Sequence, residues 1–151
     1  MKQTKDKLHV ILTDDMEEEH FLFRKALGEL LLADIEVLCF FSADELFAYF
    51  NSSEFVAPHV LFLDLNMPEK TGLECLKEIR ADERLKELIV AIYSVSASES
   101  DVSKTLAEGA NIYITKPREF EEMKRVLNEV IKSCIQYHSL HLSFDTFIRS
   151  L

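Results

Sequence analysis

Five short apolar runs, rich in β-branched residues and separated by longer stretches of helical periodicity, constrain this chain more than any other feature. The runs are Leu8–Thr13, Ile35–Phe41, His59–Leu63, Leu88–Tyr93 and Ile112–Thr115, and each has the length of a strand. Between them, Phe23, Leu27, Leu30 and Leu31 recur at helical spacing within 17–32. Phe120, Met123, Leu127, Val130, Ile131 and Cys134 form a second, longer stripe. Ser42 with Glu45 three residues on reads as a capping box, Ser98 with Asp101 as a second cap, and Gly109 as a stop. A Pro68/Gly72 loop leads from the third run into a helix over 73–81. Strands alternating with helices bury both faces of a parallel sheet. The expected fold class is therefore α/β, a three-layer (βα)5 doubly wound sheet of five parallel strands.

A chain of 151 residues is one domain by size, and 48% hydrophobic with 29% charged residues is the composition of a folded globule. The formal net charge of -10 repels phosphate backbones and anionic lipid, so neither nucleic acid nor membrane is an expected partner. Three cysteines, Cys39, Cys75 and Cys134, sit in apolar stretches and suit reduced thiols. The basic N-terminus is followed by an apolar run too short for a secretory signal, which predicts a cytoplasmic protein.

In open α/β sheets, ligands bind beyond the carboxyl ends of the strands. Those ends carry Asp14 and Asp15 after the first run, Asp64 after the third, Ser94 after the fourth and Lys116 after the fifth. The topology thus brings three carboxylates, a hydroxyl and an ammonium to one crevice. Each carboxylate pair about 4 Å apart repels by roughly 4 kcal/mol at an effective dielectric near 20. A hard divalent cation relieves that repulsion, and Mg2+ suits oxygen donors of this kind. A carboxylate left free beside the cation and Lys116 is placed to attack a phosphoryl group.

These residues resemble the receiver domain of two-component response regulators. The resemblance rests on Asp14-Asp15, on Leu63-Asp64-Leu65-Asn66-Met67-Pro68 with Gly72, on Ser94, on Gly109-Ala110, and on Tyr113 with Lys116-Pro117. Spacings of 30 residues from Asp64 to Ser94 and 22 from Ser94 to Lys116 match the family. The resemblance implies a flavodoxin-like receiver fold over 7–134 and Asp64 as phosphoacceptor. Asp15 would bind Mg2+ directly, Asp14 chiefly through water, and the backbone carbonyl of Asn66 would complete the protein ligands. Lys116 would pair with Asp64 and then with a phosphoryl oxygen, across a cis Lys116–Pro117 bond. Ser94 would move toward the phosphoryl group and Tyr113 would turn inward as the aromatic switch. Val95, where the family has a small residue, would restrict access to the acyl phosphate.

The function so implied is a phosphoprotein of a two-component phosphorelay. A histidine kinase or histidine phosphotransfer protein would load Asp64, and a downstream protein or a homodimer would read the face built from helix 4, strand 5 and helix 5. Such a domain is no enzyme beyond catalysing its own phosphorylation and dephosphorylation. A phosphate sink or relay intermediate uses the same residues and stays open. A haloacid dehalogenase-type phosphatase is disfavoured because position 66, where that chemistry needs a second Asp, is Asn. In the extension 135–151, Ser143 can cap an expected short helix that has Phe144, Phe147, Ile148 and Leu151 at helical spacing. Docking on its own domain, a dimer contact and a partner anchor are all open for it.

Overall fold

The computed structural model of the chain describes residues 7–30, 34–140 and 147–149. Strands β1 (Leu8–Thr13), β2 (Ile35–Phe40), β3 (Val60–Leu63), β4 (Ile89–Ser94) and β5 (Ile112–Thr115) alternate with five helices. These are α1 (Glu17–Gly28), α2 (Ala43–Phe50), α3 (Gly72–Ala81), α4 (Glu99–Ala107) and α5 (Phe120–Leu140). The strands pair in parallel in the order β2-β1-β3-β4-β5, the doubly wound arrangement expected from the alternation.

Period-two alternation splits the apolar residues between two cores. Leu12, Phe62, Ala91 and Ile114 face α1 and α5, where Phe23, Leu127 and Ile131 pack against them. Ile11, Leu63, Ile92 and Tyr113 face the other way, onto Leu46, Phe50, Leu76 and Ile79 of α2 and α3. Burial on both faces is why β3 and β4 read as continuous apolar runs. Cys75 and Cys134 lie buried in these layers and Cys39 is half-buried, all three as free thiols.

The caps follow local chemistry. Ser42 accepts from the Glu45 N–H at 3.2 Å, while the Glu45 carboxylate accepts from the Phe41 N–H, one residue before the cap. Ser98 accepts from the Asp101 N–H at 3.0 Å. Thr71 and Glu74 close a full capping box on α3, a T-x-x-E signature that the loop reading of this segment passed over.

The C-terminal region departs from expectation twice. Helix α5 continues unbroken past Cys134 to Leu140, and Phe147–Arg149 form a sixth strand, β6, parallel to β5, instead of part of a short helix. Ser143, Phe144 and Leu151 lie outside the described residues. The physical reason is the unpaired outer edge of β5. A strand returning after α5 completes one more βαβ unit and satisfies backbone groups that a helix would leave open.

Arg80, at the end of α3, ties down the loop before β5. Its guanidinium donates to the Gly109 carbonyl at 2.8 and 3.0 Å, to the Leu88 carbonyl at 2.8 Å and to Asn111 Oδ1 at 2.9 Å. Gly109 has φ 107°, and a Cβ there would press on the Arg80 side chain. Replacing Arg80 with Ala strips several half-buried acceptors at once. The expected loss is about 2–3 kcal/mol in urea unfolding, read as a lower midpoint at unchanged slope.

Candidate functional site

Parallel register assembles the crevice. Thr13 of β1 is level with Leu63 of β3, so Asp14 and Asp64 emerge side by side, and the Asp64 N–H donates to the Thr13 carbonyl at 3.0 Å. Ser94 is level with Thr115, and the next residue, Lys116, donates its N–H to the Ser94 carbonyl at 2.7 Å. The sheet therefore delivers Asp14, Asp15, Asp64, Ser94 and Lys116 to one carboxyl-end crevice.

One carboxylate oxygen from each of Asp14, Asp15 and Asp64 lies within 4.8 Å of the others, with Asp15 the most open. Asp64 is only 5% exposed, and burial drives its carboxyl up to about 6. Lys116 and the Asn66 backbone N–H pull it back, whereas the charges of Asp14 and Asp15 raise it further. Three hard oxygen donors crowded into one crevice fit a divalent cation.

Lys116 is paired differently from what the resemblance implied. Its ammonium, 9% exposed, contacts Asp14 Oδ2 at 2.6 Å and lies 3.9 Å from Glu19 Oε1, and it forms no ion pair with Asp64. Asp14 is fully buried, so the neighbouring cation is drawn to the carboxylate that solvent cannot neutralise. Asp14 also accepts from the Met16 N–H at 2.9 Å, and its own carbonyl meets His20 Nε2 at 2.7 Å. The Lys116–Pro117 bond is trans, since no cis peptide occurs among the described residues. Trans is the preferred isomer of an X-Pro bond unless its surroundings impose the other.

Ser94 is buried, and its Oγ accepts from the Ser96 N–H at 3.2 Å. The Tyr113 ring is fully buried on the α3 side, and its hydroxyl donates to the Ser96 carbonyl at 2.8 Å. One loop residue, Ser96, thus touches both groups named for a switch. Val95, directly after Ser94, is 71% exposed.

Two further residues shape the site: Gly72, which the motif contains without showing its reason, and Glu19, which the motif does not contain. A Cβ on Gly72 would lie 2.3 Å from the Asp64 carbonyl oxygen and 2.8 Å from Leu65 Cα, so α3 starts directly against the loop that carries Asp64. Glu19, the third residue of α1, places a carboxylate beside Lys116. Its only sequence signal is the acidic run Glu17-Glu18-Glu19, which reads as a helix N-terminus.

The receiver-domain model of response regulators matches residues 10–128. The chain is 34% identical over 73 residues to a probable methanogenesis regulatory protein, FilR2, of Methanothrix harundinacea, covering 48% of this chain and 47% of that one. It is 38% identical over 72 residues to the chemotaxis protein CheY1 of Helicobacter pylori J99, covering 48% and 58%. The chain spans about half the length of the curated relatives it matches. Among solved structures, the phosphorylated cyanobacterial phytochrome response regulator RcpA superposes with a TM-score of 0.79 at 25% identity, over 91% of this chain and 98% of that one. The Mn2+-bound form of response regulator Rcp1 superposes at 0.74 with 23% identity, over 90% and 97%. The chain belongs to the response regulator receiver domain family of two-component signalling. Among the described residues, no helix is long and apolar enough to cross a membrane.

Proposed function

We propose that Asp64 is the phosphoacceptor of a two-component phosphorelay and that Asp14, Asp15, Asp64 and the Asn66 carbonyl hold Mg2+. The observation that carries this reading is the convergence of three carboxylates within 4.8 Å at the carboxyl end of the sheet, with Lys116 beside them. The cation would neutralise charge on the transferred phosphoryl oxygens. An Asp64 carboxylate oxygen attacks phosphorus, the P–N bond of a donor phosphohistidine breaks, and the imidazole leaves with the bonding pair. Lys116 supplies a positive charge to the phosphoryl oxygens and Ser94 a hydrogen bond. Hydrolysis reverses the loading: water attacks phosphorus, the Asp64 O–P bond breaks, and inorganic phosphate leaves. Beyond this chemistry on itself the domain is no enzyme.

The donor is a histidine kinase or histidine phosphotransfer protein. Met16, Phe41 and Val95 directly follow, or lie within three residues of, the ends of β1, β2 and β4 and are exposed, an apolar rim suited to a docked helix. The readout runs through Ser94 and Tyr113 to the α4–β5–α5 face, which a downstream protein or second copy would bind. Ser96 joins the two switch groups, since its backbone is hydrogen-bonded to both. On this face β6 lies along β5, so a partner that needs the β5 edge must compete with the chain's own strand.

The test is incubation with phosphoramidate and Mg2+, read by intact mass. A single phosphoryl adduct in the wild type that does not form in the presence of chelator or in Asp64→Asn is expected; an adduct that survives Asp64→Asn overturns the assignment. Val95→Ala is expected to leave stability within about 0.5 kcal/mol of wild type, because the side chain is exposed. It should shorten the lifetime of the adduct by opening the site to water, which a timed mass series checks.

A further inference from the structure

Glu19 has no duty that its place in the helix explains. At the third position of α1 a glutamate ordinarily reaches back to the backbone N–H of the cap residue. Here the cap is Met16, whose N–H already donates to Asp14 Oδ1 at 2.9 Å and whose side chain makes no cap hydrogen bond. Glu19 turns into the crevice instead. Its Oε1 is buried, has no hydrogen-bond partner and lies 3.9 Å from Lys116 Nζ. A buried carboxylate oxygen without a donor is costly, and an ammonium just beyond hydrogen-bond reach leaves that cost largely in place.

Lys116 explains it. The ammonium sits 2.6 Å from Asp14 Oδ2, on a carboxylate that the proposed cation also needs. A cation held at Asp14 repels the ammonium, so its binding weakens the contact between Lys116 and Asp14. Among the described residues, Asp14 and Glu19 are the two carboxylates with which Lys116 forms ion pairs. The Tyr93 ring, its centroid 5.6 Å from the ammonium, is an aromatic neighbour and offers no carboxylate. A shift of about 1 Å brings the ammonium into charge-assisted hydrogen-bond range of Glu19.

We propose that Glu19 is a positioning residue for Lys116, the second acceptor that takes the ammonium when Asp14 turns to a bound cation. In that place Lys116 stays charged and inside the crevice, ready for a phosphoryl oxygen. The inference rests on the reading of Asp14, Asp15 and Asp64 as a cation site.

The experiment is a double-mutant cycle on Mg2+ affinity by calorimetric titration, in wild type, Glu19→Gln, Lys116→Met and the double variant. With Lys116 present, Glu19→Gln is expected to weaken Mg2+ binding about tenfold, through the lost coupling. With Lys116 replaced, the same substitution should cost no more than about twofold, the screened effect of one negative charge. Equal losses in the two backgrounds would overturn the role of Glu19. Absence of saturable Mg2+ binding in the wild type would instead sink the cation site itself. Lys116→Met strips a buried carboxylate of its partner and risks the fold, so the Lys116 ε-carbon NMR signal supplies a reading that leaves the lysine in place. In saturating Mg2+ that signal should be sharper and more mobile in Glu19→Gln than in wild type. Identical signals in the two proteins would equally refute the proposal.

Discussion

Asp64→Asn should be more stable than the wild type in magnesium-free buffer at pH 7 to 8, although it removes the central side chain of the site. Burial and the charges of Asp14 and Asp15 hold the Asp64 carboxyl at about 6 in the folded chain, against an ordinary value of 3.8. The folded state therefore binds a proton more tightly than the unfolded state. The stability this gives is fully present below about pH 4 and is lost as pH rises through about 6. Above that pH the native chain carries an ionised, desolvated carboxylate beside two others. A neutral isostere removes the conflict, worth up to about 3 kcal/mol for a shift of this size. For a domain of this length each kcal/mol raises the midpoint by about 2–4 °C. The gap should close below pH 4, and Mg2+ should narrow it at pH 7 by binding the folded wild type. A thermal-melt series from pH 3 to 8, with and without chelator, reads all of this. A variant no more stable than wild type at pH 8 would contradict the electrostatic picture of the crevice.

Gly72→Ala should be the most damaging single-methyl change near the site. The backbone at Gly72 is not in the left-handed region, so the demand is for space. The added Cβ would meet the Asp64 carbonyl oxygen at 2.3 Å and the Asp64 carbonyl carbon at 3.0 Å. Both are main-chain atoms of the loop that carries the phosphoacceptor, and neither can rotate away as a side chain would. The Gly72 N–H also donates to the Leu65 carbonyl at 2.9 Å, a bond that must lengthen if α3 backs off. Overpacking against fixed backbone costs about 3 kcal/mol or more. The displaced Asp64 should lose most of its reactivity toward phosphoramidate in the fraction that remains folded. Urea unfolding and timed intact mass on the same sample separate the two effects. Wild-type stability would show that the α3–loop contact is looser than the geometry states.

Much of this site was legible in the residues because parallel topology forces strand ends together. Asp14, Asp64, Ser94 and Lys116 each follow or end an apolar run, and the register of β1 with β3 and β4 with β5 does the rest. Pairing within the crevice was not legible. Sequence order does not say which of several carboxylates is the most buried, and it is burial that draws Lys116 to Asp14. Arg80 was passed over because one arginine at a helix end looks like a solvated cation until the fold sets Gly109, Asn111 and Leu88 around it. Gly72 stood in the motif, but its reason is an interatomic distance that no spacing encodes. In the tail, Phe147 and Ile148 fit a helical stripe and a short strand about equally well. The free edge of β5 decided between them.

Locating the phosphoryl group tests the central claim most directly. The chain would be loaded with phosphoramidate and Mg2+, reduced with borohydride, which converts an aspartyl phosphate to homoserine, and mapped by peptide mass spectrometry. The expected result is conversion of Asp64 alone, abolished by chelator. Conversion at Asp14 or Asp15, or a folded chain that takes no label at all, would contradict the account.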